Sequence, residues 1–199
     1  MDFQKYTKFL LRHGETELNA KDAYRGMLDP PLDDKGILKA KAAGEFLRQC
    51  EIECIISSPL LRCVETAEIV SGILGGRCIK QCRSLFPWQL ASMYGLDKEE
   101  HKKDIEWYVD NPTKKKVDYE ESLDELTDRV GDYFEEALKS PVRTLFVTHN
   151  SVLMSLAGLL EGRRTNKNDE MVSPGGIVVD DGEKLAPVFG TAQKEDYTS

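Results

Sequence analysis

Residues 7–19 read Thr7-Lys8-Phe9-Leu10-Leu11-Arg12-His13-Gly14-Glu15-Thr16-Glu17-Leu18-Asn19. The apolar stretch from Thr7 to Leu11 predicts a buried strand. Arg12 and His13 stand at its carboxyl end, and Gly14 lets the chain turn. In open parallel sheets, ligands bind outside the carboxyl ends of the strands. A histidine there can act as a nucleophile, and a neighbouring guanidinium can hold a phosphoryl group in bidentate fashion. Taken alone, an Arg-His pair is better read as a surface turn; the rest of the chain reverses that preference.

The segments that follow alternate between strand and helix patterns. Ile37, Ala40, Ala43, Phe46 and Leu47 fall on one helical face, predicting a helix from Gly36 to Cys50. Glu53–Ser57 reads as a second strand and Leu60–Leu74 as a helix opened by Pro59 and closed by Gly75-Gly76. Arg77–Gln81 is a short third strand. Residues 83–121 are irregular apart from a polar helix over Lys98–Val109. Ser122 and Glu125 form a capping box that starts a helix running to about Lys139. Val142–Thr148 is the next strand, Val152–Leu160 the next helix, and a hairpin around Asp181-Gly182 follows. This alternation predicts a three-layer α/β sandwich whose mostly parallel sheet is flanked by helices. At 199 residues the chain is read as a single domain, 1–199, with residues 193–199 as a frayed tail.

A net charge of -8 excludes a basic nucleic-acid footprint, so an anionic ligand would need a local positive pocket. No run of about eighteen apolar residues exists, so no membrane partner is expected. Charges interrupt the first twenty residues, so a secretory signal is not expected either. Five cysteines without such a signal suit reduced thiols in a cytoplasmic protein. Cys50 and Cys54, like Cys78 and Cys82, are separated by three residues, which is not the usual zinc spacing; no metal and no cofactor are expected. His101 is read as an exposed helix residue and Lys114-Lys115-Lys116 as a solvated turn. A homodimer stays open beside the monomer.

Three strand ends carry the same kind of chemistry. The first ends at Arg12-His13, the second at Ser57-Ser58-Pro59 with Arg62 just beyond, and the strand ending at Thr148 is followed by His149. In a parallel sheet these ends share one edge, so Arg12, His13, Arg62 and His149 can converge. Two arginines and two histidines suit a tetrahedral phosphoryl group. Helix amino termini near Leu60 and Asn150 would add amide donors.

With these residues together, the chain resembles the histidine phosphatase superfamily, in its phosphoglycerate mutase-like branch. Leu11-Arg12-His13-Gly14-Glu15-Thr16 with Asn19 is similar to the family signature. Gly26-x-x-Asp29-Pro30-Pro31-Leu32, Ser57-Ser58-Pro59-Leu60-x-Arg62-x-x-x-Thr66-Ala67 and Val147-Thr148-His149 resemble its later segments, in order, over about residues 8–180. The resemblance implies that His13 becomes a phosphohistidine while Arg12, Arg62 and His149 hold the phosphoryl oxygens. It also implies that Asn19 helps line the phosphate pocket. Arg25, Gly26 and Asn150 complete the candidate substrate- and phosphate-binding set, although Arg25 reads equally well as a surface arginine. The function implied is a phosphomonoester hydrolase, independent of metal, acting on a small phosphorylated metabolite. Phosphoglycerate mutase-type transfer and a phospho-ligand binder of weak turnover are the alternatives.

The pattern breaks at the general acid. Family members carry a Leu-x-Glu segment after the third strand; the matching stretch here, Leu85-Phe86-Pro87-Trp88-Gln89-Leu90-Ala91, places Pro87 at the carboxylate position. Proline cannot donate a proton. Glu120-Glu121-Ser122 is similar to a Gly-Glu-Ser segment of related phosphatases, which makes Glu121 the candidate acid. Adjacent carboxylates are expected to raise one pKa. Decoration of a helix amino terminus is the competing reading of both residues. Phe86, Trp88 and Tyr94 are either substrate wall or core.

Overall fold

The computed structural model describes residues 3–164 and 172–191; the tail expected at 193–199 lies outside them. Its centre is a six-stranded mixed sheet in the order β3-β2-β4-β1-β5-β6. Strands β1 (Lys8–Arg12), β2 (Cys54–Ser57), β3 (Ile79–Gln81) and β4 (Thr144–Thr148) run parallel. Strands β5 (Val172–Asp180) and β6 (Leu185–Thr191) form the expected antiparallel hairpin against β1.

Alternation along β1 explains the layering. Phe9 and Leu11 join Ile55, Leu145 and Val147 on one face, under Ala43 and Leu47 of α2 (Asp34–Leu47) and Ala67 and Val70 of α3 (Leu61–Ile73). Leu10, Phe146 and Val178 point to the other face, covered by α5 (Leu123–Ala137) and α6 (Asn150–Leu160). Both faces of the central strands are therefore buried, which is why β1 and β4 read as continuous apolar runs. The two remaining helices are α1 (Glu17–Ala20) and α4 (Lys102–Asp110).

Local chemistry sets the ends of the helices. The Ser122–Glu125 capping box opens α5, with Glu125 N–H donating to Ser122 Oγ and Ser122 N–H to the Glu125 carboxylate. Pro59 is not the first residue of α3: Leu60 is its N-cap in an extended conformation, and it has no capping side chain. Asp29 supplies the cap from another loop, accepting from Leu61 N–H at 2.7 Å. Helix α6 starts two residues earlier than periodicity suggests, immediately after the extended His149. Polar Asn150 and Ser151 hide that first turn from a hydrophobic pattern. His101 is the N-cap of α4 and pairs with Asp104. The 114–116 lysines are not simply solvated, because Lys115 pairs with Glu125 and Lys116 with Asp104.

Candidate active site

The register of the sheet brings the predicted residues together. Arg12 pairs in register with Thr148, and Ser57 with Val147, so β1, β2 and β4 end side by side. The His13 and His149 ring centroids lie 5.2 Å apart. Arg12, His13, Arg62 and His149 are all buried, at 1–3% exposure, yet line one cavity of about 300 Å³. Arg25, Gly26 and Asn150 line it too.

Backbone carbonyls orient the cations. Arg12 Nη1 donates to Val172 O at 2.7 Å. Arg62 donates to Leu28 O at 2.6 Å and Gly26 O at 2.8 Å, and its Nη2 lies 3.3 Å from His149 Nδ1. Arg62 Nε is buried without a protein partner among the described residues. Gly26 is required where it stands: its φ is +47°, and a Cβ there would fall 1.8 Å from the Tyr94 ring. The loop after β1 is held by Thr66, whose hydroxyl accepts from Gly14 N–H at 3.0 Å and donates to Arg62 O at 2.7 Å.

The same contacts fix the histidine tautomers. His13 Nδ1 lies 2.7 Å from Gly14 O, so Nδ1 carries the hydrogen and Nε2 keeps its lone pair. His149 Nδ1 accepts from Arg62, and its Nε2 donates to Ser58 Oγ at 2.9 Å. Burial, and then the Arg62, Arg25 and Arg12 charges, hold His13 well below the usual histidine pKa. Burial, Arg62 and His13 do the same to His149. Both rings are therefore neutral at neutral pH, and His13 presents an unprotonated nitrogen.

Three expectations need correction. Asn19 is not in the cavity wall; it forms a capping box with Thr16 at the start of α1, a four-residue helix that hydrophobic periodicity does not reveal. The Leu61 amide at the amino terminus of α3 is occupied by Asp29, whereas the α6 terminus at His149-Asn150 has no side-chain cap. The adjacent carboxylates do not face one another. Glu120 accepts from Ser92 N–H at 2.8 Å and from the Tyr108 hydroxyl. Burial pushes its pKa up, but those bonds outweigh it and hold Glu120 below the usual carboxylate range.

Glu121 is also outside the cavity wall. Its carboxylate accepts from Arg129 Nε at 2.7 Å and Nη2 at 2.8 Å. Arg129 in turn donates to Ser84 O at 2.8 Å and Phe86 O at 3.0 Å. Trp88 donates its indole N–H to Glu121 O at 2.9 Å. The pair thus braces the loop carrying Pro87 and Trp88, which do line the cavity. Of the three aromatic residues left open by sequence, Trp88 and Tyr94 are wall and Phe86 is not. Sequence reasoning missed Arg129, Met93 and Met154. A salt bridge across eight residues, a methionine in an irregular loop and another in a helical pattern look like ordinary surface and core.

Among the described residues no cluster of three or more His, Cys, Asp or Glu could hold a metal, and all five cysteines are free thiols. No helix among them is long and apolar enough to cross a membrane.

The chain is similar to several known proteins. A protein of Hydrogenobacter thermophilus named as a phosphoserine phosphatase is 30% identical over 160 residues, covering 77% of this chain and 78% of its own. A protein of Salmonella typhi named as phosphoglycerate mutase GpmB is 33% identical over 165 residues, covering 77% and 74%. Bacillus stearothermophilus YhfR shares the fold with a TM-score of 0.76 at 24% identity, covering 94% of this chain and 97% of its own. A mycobacterial glucosyl-3-phosphoglycerate phosphatase does so with a TM-score of 0.74 at 21% identity, covering 92% and 98%. The family model described as the histidine phosphatase superfamily (branch 1) matches residues 9–179, and the chain belongs to that family.

Proposed function

We propose that this protein is a phosphomonoester hydrolase working through a phosphohistidine on His13. The observation that carries this reading is the buried His13, its Nδ1 2.7 Å from Gly14 O so that Nε2 is left to attack, in one cavity with Arg12, Arg62 and His149. Nε2 attacks phosphorus, the ester P–O bond breaks, and the leaving oxygen takes up a proton from solvent water, which the hydrolysis step returns. Water then attacks the phosphohistidine, the N–P bond breaks, and inorganic phosphate departs with His13 restored. Arg12, Arg62 and His149 stabilise charge on the equatorial oxygens, and a dianion among them offsets their mutual repulsion. The α6 amide at Asn150 adds a donor. Arg25 borders the cavity and raises the positive potential at its mouth. The guanidinium groups supply the charge that a metal supplies in other phosphatases, so the reaction is proposed to need none.

Rapid acid-free quenching with p-nitrophenyl phosphate should trap an acid-labile phosphoenzyme, absent from His13→Ala. That variant should retain less than about a hundredth of wild-type activity, because losing the nucleophile costs several kcal/mol in the barrier. Higher residual activity rejects His13 as the nucleophile. The relatives named as phosphoglycerate mutase favour a second reading, in which the phosphoryl group passes to another hydroxyl rather than to water. Inorganic phosphate release without isomerised product separates the two. Binding without turnover would leave the third reading, a phospho-ligand binding protein. The substrate is proposed to be a small cytoplasmic phosphometabolite, consistent with the free thiols.

A further inference from the structure

The cationic cluster accounts for only part of the cavity lining. Much of the remaining wall is apolar and comes from four separate segments: Trp88, Leu90 and Met93 from the loop after β3, Ile105 and Val109 from α4, Leu123 and Leu126 from α5, and Met154 from α6, with Tyr24 and Tyr94 beside them. Several polar groups along this wall are engaged by the protein, while Asn150 gives Nδ2 to Met154 Sδ at 2.9 Å and leaves Oδ1 buried without a partner among the described residues. The Trp88 indole N–H is given to Glu121 O, and Ser151 Oγ accepts from Trp88 N–H at 3.0 Å. Lys98, at the margin, is paired with Asp22. A body rich in hydroxyls or carrying a second carboxylate would lose water there and regain few hydrogen bonds. An apolar body would gain from leaving water.

We infer that the site takes phosphomonoesters with a compact apolar body, a single ring or short hydrocarbon chain, rather than phosphorylated hydroxy- or amino-acids. This rests on the proposed phosphatase reading for the position of the phosphoryl group. The volume of about 300 Å³ lies at the small end of ligand pockets, which limits the body to that size. Trp88 is held edge-to-face against Tyr108, with ring centroids 5.8 Å apart, so the wall is set before the ligand arrives.

The test uses n-alkylphosphonates from methyl to hexyl, which carry the anionic head but have no ester bond to hydrolyse. Calorimetry on the wild-type protein should show binding tightening by about fourfold per methylene until the cavity is full. Met154→Gln keeps the side-chain length, adds polarity and retains an acceptor for Asn150 Nδ2 in its amide oxygen; it should weaken hexylphosphonate several-fold and leave methylphosphonate nearly unchanged. A flat series overturns the inference. So does tighter binding of 3-phosphoglycerate or O-phosphoserine than of hexylphosphonate, and so does equal weakening of the methyl and hexyl compounds in Met154→Gln. Hydrolysis of p-nitrophenyl phosphate and its loss in His13→Ala are read separately. A failed phosphatase reading is thereby distinguished from a failed wall.

Discussion

Replacing Glu121 with glutamine separates two roles for one carboxylate. A proton donor would be needed most by alkyl phosphates, whose alkoxide is a poor leaving group. The structure instead places both carboxylate oxygens on Arg129, with the two side chains 10% and 21% exposed. Exposed ion pairs contribute at most about 1 kcal/mol, and breaking a fully buried pair costs about 3–5 kcal/mol. This pair lies between those limits, and Arg129 keeps carbonyl partners on Ser84 and Phe86. A destabilisation of about 2 kcal/mol is expected in urea unfolding. Because the same pair braces Pro87 and Trp88, kcat/KM should fall by a similar factor, about tenfold, for p-nitrophenyl phosphate and n-butyl phosphate. Glu120→Gln disturbs the separate Ser92 and Tyr108 contacts and serves as the control. A loss confined to the butyl ester, with the urea midpoint unchanged, would falsify the bracing role and make Glu121 the acid.

Protonation of the two site histidines should couple to stability. Their folded pKa values lie below the unfolded value near 6.5, so both states are neutral above that pH and no contribution arises there. Below it the unfolded chain binds more protons, and stability falls by up to about 1.4 kcal/mol per pH unit for each histidine until the folded pKa is reached. Urea unfolding at pH 8.0, 6.5 and 5.5 should show a shallower acid slope for His149→Asn than for wild type; parallel slopes refute the assignment. Gly26→Ala should cost about 1–3 kcal/mol through its φ of +47° and the clash with Tyr94, and should lower kcat/KM by shifting the carbonyl that orients Arg62. Wild-type tryptophan circular dichroism and affinity for phosphate in that variant would count against it. Activity should withstand EDTA; loss on chelation with recovery on adding a divalent cation would reject catalysis by the arginine and histidine cluster alone.

Much of this protein is determined by short-range sequence. Continuous apolar runs at 9–11 and 145–147 specify strands buried on both faces, and Ser122 with Glu125 specifies the start of α5. Parallel strands then force Arg12-His13 and His149 onto one edge, so the candidate cluster was legible without coordinates. Other parts were not. Asn19 looks free in sequence but caps its own short helix, and the cap of α3 comes from Asp29, 32 residues upstream of the amide it accepts from. Glu120 and Glu121 are chain neighbours, yet adjacent side chains diverge and find Tyr108 and Arg129 respectively. The apolar wall could not be told from core in the sequence, because Trp88, Leu123 and Met154 obey the same pattern whether they fill a core or border a cavity. Periodicity reports which face of an element is apolar. Only packing decides whether another side chain or a ligand covers that face.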